Sequence, residues 1–361
     1  MDVETRMELI TRLPTEEVIT PSELRELLET KETPIAYNGF EPSGLAHIGT
    51  GLITALKVRD LTDAGVKYIL FLADWHAWVN KKLGGDIELI RKASEYFKHV
   101  WISLGVDPAK VEFKLASEIA DQDYWALVLK VAQHMSMNRA MRAMTIAGRT
   151  MKEELPLAAY FYPPMQVSDI FTMKVDICQL GMDQRRANIL AREIGPKLGF
   201  WKPVCVHHHL LMGLQGPKKM GYEDDEILDV QISAKMSKSI PTSAIFVHDS
   251  PEEIRQKIRG AFCPARDPNN PVMELVKYVI MRDGKTPFTI ERPQKYGGEI
   301  TFESYEELEK AYVDGNLHPL DLKNSVAEVL IKILEPCRKH FEQDKEAKEL
   351  LNTLISAEIT R

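Results

Sequence analysis

Two spacings of apolar residues alternate along the first part of the chain. The apolar run at 67–73 is typical of a strand that is buried on both faces, and the stretch at 34–40 is predicted to be a short buried strand. Between them, residues 49–64 place apolar side chains at helical spacing. Gly65 follows, at a position where a helix end often requires glycine. This order of strand, helix and strand predicts a parallel βαβ unit.

The alternation continues beyond this first unit. Further strands are predicted at 110–116, 175–181 and 202–208, and further helices at 87–104 and 183–198. Such an order predicts an open, doubly wound parallel sheet. Residues 4–30 are predicted to be helical, and so is the methionine-rich stretch at about 120–160.

The pattern changes near residue 248. Ser250 and Glu253 have the spacing of a capping box, with Pro251 in the first helical turn. From there the chain reads as mainly helical, with a hairpin or loop at 286–302. The sequence therefore predicts an α/β fold in two domains. The first is a Rossmann-like doubly wound parallel sheet over 1–247 with a helical insertion at about 118–165, and the second is mainly helical over 248–361.

Composition places the protein among ordinary globular chains. The sequence has 361 residues, of which 44% are hydrophobic and 27% charged. Its apolar runs are too short for a membrane span, and the acidic start lacks the order of a signal peptide, so we expect a cytoplasmic protein. A net charge of −7 argues against a chain coated with positive charge, although basic residues cluster locally.

The spacing of the cysteines and histidines along the chain predicts no metal site. The four cysteines are far apart and form no C-x-x-C pair, so we expect reduced, mostly buried thiols: Cys178, Cys205, Cys263 and Cys337. Three consecutive histidines, at 207–209, would lie on a strand whose side chains point alternately to opposite faces. They cannot all converge on one ion, and no metal ligand is predicted.

Two loops carry the candidate chemistry. The stretch "YNGFEPSGLAHIGTGL", residues 37–52, joins the first strand to its helix, where a helix start can bind phosphate. His47 could donate to a phosphate oxygen, and Gly49 would let a base approach the backbone. This loop alone fits a structural turn equally well, because it matches neither a dinucleotide fingerprint nor a P-loop. The second loop, "SAKMSKS" at 233–239, is polar and rich in lysine and serine.

Taken together, the two loops indicate a protein family more specifically than either loop does alone. "HIGT" at 47–50 and "KMSKS" at 235–239 resemble the two signature motifs of class I aminoacyl-tRNA synthetases, with threonine in place of a second histidine in the first. The stretches "FLADWHAW", "YPPMQVSDI", "GMDQRRANILARE" and "RPQKYGGE" extend the likeness. Nearly the whole chain resembles the archaeal type of tyrosyl-tRNA synthetase. That resemblance implies a catalytic first domain, an anticodon-binding second domain and tyrosine–tRNA ligase activity (EC 6.1.1.1).

The resemblance also implies roles for individual residues. The residues implied to be catalytic are His47, Gly49, Lys235 and Lys238. Tyrosine binding falls on Tyr37, Glu41, Ala73, His76, Tyr162, Gln166, Asp169 and Gln184. ATP binding falls on Gly39, His47, Gly49, Thr50, Asp183, Lys235, Met236, Ser237, Lys238 and Ser239. Contacts with tRNA fall on Arg142, Arg185, Arg186, Tyr296, His318 and Asp321.

The implied reaction is the ATP-dependent formation of tyrosyl-adenylate, followed by transfer to the terminal ribose of tRNA(Tyr). Mg²⁺ would accompany ATP without a dedicated protein site, and the family is homodimeric. Two alternatives stay open: a tryptophan–tRNA ligase of the same fold, and a non-catalytic synthetase-like protein that binds tRNA. The pair Tyr37 and Asp169 favours a phenol over an indole, and the two intact motifs argue against a chain without catalysis.

Overall fold

The computed structural model describes residues 1–144, 155–219, 226–237 and 241–357. The strands are β1 Thr15–Ile19, β2 Ile35–Phe40, β3 Lys67–Leu72, β4 Val111–Leu115, β5 Ile177–Gly181, β6 Val204–His208, β7 Phe288–Ile290 and β8 Ile300–Phe302. The helices are α1 Val3–Thr11, α2 Pro21–Thr30, α3 Thr54–Asp63, α4 Asp74–Val79, α5 Ile87–Ser103, α6 Ala116–Ile119, α7 Gln122–Gln133, α8 Met137–Ala143, α9 Tyr162–Thr172, α10 Arg185–Ile194, α11 Glu226–Ala234, α12 Pro251–Gly260, α13 Pro271–Leu275, α14 Tyr305–Val313, α15 Pro319–Gln343 and α16 Lys345–Ser356.

A six-stranded sheet forms the centre of the first part of the chain. Its order is β1-β6-β5-β2-β3-β4, and every neighbouring pair is parallel except β1 with β6. The chain builds outward from β2 to β3 and β4, and then returns to the other side of β2 with β5 and β6. This reversal confirms the doubly wound α/β fold and leaves a crevice at the carboxyl ends of β2 and β5.

The prediction of a continuous helical segment at 4–30 was wrong. Strand β1 lies between α1 and α2 and pairs antiparallel with β6 at the edge of the sheet. Its sequence, TEEVI, has too few apolar residues to look like a buried strand. The strand is specified by its partners, since Glu16 and Glu17 meet His209 and His207 across the pair.

The helix after β2 begins with a π-helical turn, Gly49–Ile53, and continues into α3. Gly51 within this turn lies against Val247, and a Cβ atom there would stand 2.6 Å from the valine Cγ1. The close approach explains why a residue without a side chain is needed there. It also presses the start of the helix against the segment that follows the lysine–serine loop.

The last third of the chain is mainly helical, as predicted. Helix α12 begins with the expected capping box of Ser250 and Glu253, and β7 and β8 form an antiparallel hairpin inside 286–302. One buried hydrophobic cluster runs from the sheet into α15 and α16, with Phe341 packed on Tyr96 of α5 at a ring-centroid distance of 5.3 Å. The domain boundary near residue 248 stays a prediction. Among the described helices, none combines the length and apolarity needed to cross a bilayer.

Candidate active site

A small pocket opens at the carboxyl ends of β2 and β3. Its cavity volume is about 20 Å³, measured as the space open to the centre of a water-sized sphere. All eight residues that the resemblance assigns to the amino-acid pocket line it, and Gly39 and Phe71 join them. The structure thus brings together residues that lie up to 147 positions apart in the chain, from Tyr37 to Gln184.

Helix α9 supplies three of these side chains from one face. Tyr162, Gln166 and Asp169 are four and three residues apart, so a helix aligns them toward the same side. Pro163 and Pro164 lie in its first turn, where the missing N–H groups would have no partner inside the helix. The sequence-based expectation of a shared helical face is confirmed, and all three side chains are buried.

Hydrogen-bonding groups meet around the Asp169 carboxylate at the inner end of the pocket. The Tyr124 hydroxyl donates to Asp169 Oδ1 at 2.9 Å, and His76 Nε2 lies 3.1 Å from Asp169 Oδ2. The Tyr37 hydroxyl is buried without a well-formed hydrogen bond to any described residue, although the Gln166 side chain is close. Burial, with Cys178 and Asp169 nearby, raises the pKa of Tyr37 well above its ordinary value.

Tyr37 therefore keeps its proton and can donate a hydrogen bond, while Asp169 can accept one. A ligand hydroxyl between them would satisfy both groups. A buried polar group that stays unpaired is costly, so this arrangement favours a ligand with a hydroxyl at that depth.

The outer part of the pocket is lined by oxygen acceptors. Gln166 Nε2 donates to Gln184 Oε1 at 3.1 Å, which leaves the buried Gln166 carbonyl oxygen without a partner among the described residues. Glu41 accepts from Asn80 Nδ2 at 2.9 Å and lies 3.6 Å from Lys82 Nζ. Carbonyl and carboxylate oxygens around a small cavity suit an ammonium group.

The loop before α3 holds His47 in a fixed orientation. The Gly49 N–H donates to His47 Nδ1 at 3.1 Å, and the His47 N–H donates to Thr50 Oγ1 at 3.1 Å. Because Nδ1 accepts, the neutral ring carries its proton on Nε2. A Cβ atom at Gly49 would lie 3.0 Å from His47 Cε1, so only glycine leaves this ring undisturbed.

The described part of the lysine–serine loop lies against the same crevice. Lys235 Nζ donates to Asp183 Oδ2 at 2.6 Å, and the N–H of the buried Met236 donates to the Leu211 carbonyl at 2.9 Å. Ser237 accepts a hydrogen bond through its carbonyl from Ser243 at 3.2 Å. Burial would raise the pKa of Asp183, but the Lys235 ammonium lowers it overall. Lys238 and Ser239 lie outside the described residues.

Backbone hydrogen bonds join the first motif loop to the segment that follows the second. The Ile48 N–H donates to the Ile245 carbonyl at 2.9 Å, and the Val247 N–H donates to the Ala46 carbonyl at 3.1 Å. The segment that leaves the lysine–serine loop thus runs beside the HIG turn. Positions almost two hundred residues apart in sequence form one structural unit at the helix start.

The six residues assigned to tRNA contacts fall into two groups. Arg142 and Arg186 meet, since Arg186 Nη1 donates to the Arg142 carbonyl at 2.6 Å, while Arg185 Nε donates to Glu17 Oε2 at 2.9 Å. The second group lies in the C-terminal part: Tyr296 is 61% exposed, and His318 caps α15, with Asp321 in the first turn of that helix.

Comparison with known proteins agrees with this geometry. Residues 29–233 and 227–335 match the sequence model of the family described as tRNA synthetases class I (W and Y). The chain belongs to this family of class I tRNA synthetases. A relative from Thermococcus sibiricus, named tyrosine–tRNA ligase, is 48% identical over the whole length of both chains.

Solved structures of class I tRNA synthetases give the same result. A tyrosyl-tRNA synthetase from Pyrococcus horikoshii, crystallised with L-tyrosine, is 47% identical and superposes with a TM-score of 0.91, covering 98% of this chain and 100% of that one. A tryptophanyl-tRNA synthetase from Aeropyrum pernix is 21% identical with a TM-score of 0.67, covering 92% and 84%. The second likeness is one of fold alone.

Sequence reasoning missed several residues of this synthetase pocket. Tyr124 is the most important, because it donates to Asp169 from α7, inside the segment predicted only as a helical insertion. Asn80 and Lys82 hold Glu41, and Phe71 lines the cavity from β3. No local motif marks Tyr124, Asn80 or Lys82, whereas Phe71 begins the stretch "FLADWHAW" and lies two residues before Ala73.

The three consecutive histidines of the synthetase point to different partners. His207 Nδ1 lies 2.7 Å from Glu17 Oε2, and His208 Nδ1 lies 2.8 Å from the Gln179 amide. His209 lies between Glu16 and Glu274. The three side chains therefore have different partners, and His209 lies just beyond the end of β6.

Proposed function

We propose that the chain is a tyrosine–tRNA ligase, which activates L-tyrosine with ATP and transfers it to tRNA(Tyr). The observation that carries the proposal is the inner end of the pocket, where the buried Tyr37 hydroxyl and the Asp169 carboxylate can hold one phenol. The likeness to the tyrosine–tRNA ligase from Thermococcus sibiricus and to the tyrosine-bound synthetase from Pyrococcus horikoshii supports it.

The pocket chemistry separates tyrosine from its rivals. Phenylalanine would enter without a hydroxyl and leave Tyr37 and Asp169 unpaired in a buried site. An indole N–H can donate to Asp169 but offers no lone pair to the Tyr37 hydroxyl. The substrate ammonium would contact Gln166, Gln184 and Tyr162 near the mouth.

Activation proceeds by direct displacement. A carboxylate oxygen of tyrosine attacks the α-phosphorus of ATP, the bond to the bridging oxygen breaks, and pyrophosphate leaves with the bonding electrons. Negative charge therefore grows on the pyrophosphate, where preorganised positive groups lower the barrier. Lys235 and the His47 Nε2–H are the described groups suited to this task.

Other participants follow from the same chemistry. Mg²⁺ would arrive bound to the ATP phosphates, because this ion is usually held by substrate phosphates and water rather than by a protein cage. In the second step, a terminal ribose hydroxyl of tRNA attacks the activated carbonyl and AMP leaves.

The proposed contacts with tRNA come from two groups of residues. Three arginines would contact the acceptor end: Arg142, Arg185 and Arg186. Three residues of the C-terminal part would read the anticodon: Tyr296, His318 and Asp321. We also propose a homodimer and a cytoplasmic location.

The deciding experiment is amino-acid-dependent exchange of pyrophosphate into ATP. We expect exchange with tyrosine and none with tryptophan. Exchange with tryptophan alone would establish the tryptophan ligase instead. If neither amino acid supports exchange while tRNA still binds, the chain is a non-catalytic binding protein.

Lys235→Ala tests the role of the described motif lysine. Removing a cation aimed at the leaving group should slow adenylate formation by roughly 10²-fold, with little change in tyrosine affinity. Single-turnover formation of tyrosyl-adenylate measures the first effect, and equilibrium tyrosine binding measures the second. Lys218→Ala, on an exposed stretch, is the matched control. An unchanged single-turnover rate in Lys235→Ala would remove this lysine from the mechanism.

A further inference from the structure

Two histidines and an aspartate converge away from the amino-acid pocket. His99 lies on α5, His340 lies in the last turn of α15, and Asp344 joins α15 to α16. One ligand atom from each lies within 4.8 Å of the others. Within the described ranges, this is the one group of three or more such side chains that is close enough to hold an ion.

The two imidazoles face each other through their nitrogens. His99 Nδ1 lies 2.9 Å from His340 Nε2, and the rings are nearly parallel at an interplanar angle of 29°. At that distance one nitrogen donates its N–H to the lone pair of the other, and the tautomer decides which is the donor. A metal ion that takes the place of this proton would be bound by a lone pair from each nitrogen.

The third ligand is held by the local fold. The Asp344 N–H donates to the His340 carbonyl at 2.9 Å, and Asp344 Oδ1 accepts from the Ala347 N–H at 2.8 Å as the cap of α16. These bonds fix the carboxylate one helical turn after His340. Its second oxygen is the atom suited to an ion.

The surroundings limit the movement of the cluster. Phe341 is buried under both histidines, with ring centroids 6.4 Å from His99 and 5.5 Å from His340. In a tetrahedral site with bonds of about 2.0–2.1 Å, ligand atoms stand roughly 3.3 Å apart. The observed distance of 2.9 Å between His99 Nδ1 and His340 Nε2 is close to this value, and the Asp344 carboxylate lies within 4.8 Å of both.

We propose that His99, His340 and Asp344 bind one zinc ion, which cross-links α5 of the sheet domain to the corner between α15 and α16. Two imidazoles and a carboxylate are a ligand set that zinc accepts, and water would complete its coordination. The site is separate from the proposed reaction, because none of the three residues lines the amino-acid pocket. Its effect is on the attachment of the C-terminal helices.

The test is a Zn²⁺ titration of the full chain after treatment with a chelator. Calorimetry should show one ion bound per cluster, and the melting temperature should rise with Zn²⁺ but not with Mg²⁺, which prefers oxygen ligands. His99→Gln and His340→Gln should each weaken zinc binding by at least about tenfold, as expected for the loss of one ligand from such a site. Tyrosine-dependent exchange in these variants should equal that of the wild type.

Two further variants sharpen the result. Asp344→Asn removes the charge but keeps a side chain that caps helices equally well, so it should weaken zinc binding without the loss of α16. His134→Gln removes an exposed histidine outside the cluster and should bind zinc like the wild type. The proposal fails if the wild type does not bind zinc, or if the His99 and His340 variants bind it unchanged. The pair is then a hydrogen-bonded contact only.

Discussion

The Asp169 carboxylate shows how much one side chain depends on its neighbours. The amino-acid sequence offers an aspartate that could cap a helix or lie on the surface. In the structure it is almost fully buried, with the Tyr124 hydroxyl on one oxygen and His76 beside the other. A carboxylate that accepts a hydrogen bond from a buried hydroxyl is oriented before a ligand arrives, which reduces the cost of binding.

Replacing Tyr124 by phenylalanine tests this orientation. The change removes a hydrogen bond to a charged group, worth about 1.5 kcal/mol, while the ring keeps its packing. We expect the KM for tyrosine in pyrophosphate exchange to rise roughly tenfold with a smaller change in kcat. Tyr305→Phe is the control, because its hydroxyl also donates to a carboxylate, that of Glu309, but in the C-terminal part. Equal KM values for Tyr124→Phe and wild type would show that Asp169 needs no such support.

At the scale of elements, local rules succeed where a segment carries its own signals. Helix α12 starts where Ser250 and Glu253 predict it, and each of these residues bonds the backbone of the other. Strand β1 has no such signal, and its identity depends on pairing with β6. The π-helical turn at 49–53 is also invisible in sequence, because its shape follows from packing against the segment at 244–247.

Ser250→Ala should destabilise the protein through α12. The change removes the acceptor for the Glu253 N–H, at a cost of about 1 kcal/mol in the free energy of unfolding. Urea unfolding of both proteins measures the difference. Ser250→Asn keeps a capping acceptor and should stay within a few tenths of a kcal/mol of the wild type. A loss of equal size in both variants would mean that the capping bond is not the cause.

At the scale of the whole molecule, His209 connects three distant segments. From the end of β6 it reaches Glu16 of β1 at 3.0 Å and Glu274 of α13 at 3.1 Å, and its ring stacks on Tyr278 at 4.0 Å. Burial alone would lower the pKa of His209, but the two carboxylates outweigh it and raise the pKa from 6.5 to about 9. The charged form therefore supports the contact between the sheet and the C-terminal part.

The raised pKa predicts a pH-dependent contribution to stability. A group whose pKa is higher in the folded state stabilises it fully below its unfolded pKa of 6.5, and this contribution is lost as pH rises toward 9. The shift corresponds to about 3 kcal/mol. His209→Gln should thus lower the free energy of unfolding by about 2–3 kcal/mol more at pH 6 than at pH 9. Urea unfolding at both values measures this.

His134→Gln is the control for the pH experiment. His134 is exposed, and its replacement should change the unfolding free energy little at either pH. Titrating groups away from His209 are the same in the wild type and in His209→Gln, so they cancel in the difference, and the neighbouring carboxyl groups titrate mainly below this pH range. A pH-independent difference between these two proteins would show that His209 is not charged in the folded state.

The sequence by itself determined the alternation of strands and helices, the doubly wound class of the sheet, the α12 cap and the family. These features depend on spacings of two or 3.6 residues and on short motifs, which are local properties of the chain. It also indicated which residues belong to the pocket, through resemblance, and the structure brings all eight of them to one cavity.

Only the tertiary structure decided which distant groups meet. The support of Asp169 by Tyr124, the pairing of the HIG turn with 244–247, the strand character of β1 and the His99–His340 contact all join segments more than forty residues apart. Their residues are individually unremarkable, and each acquires its role from a partner that no local pattern reveals. Long-range contacts depend on how helices and sheets pack, because packing fixes the position of whole elements rather than of neighbouring residues.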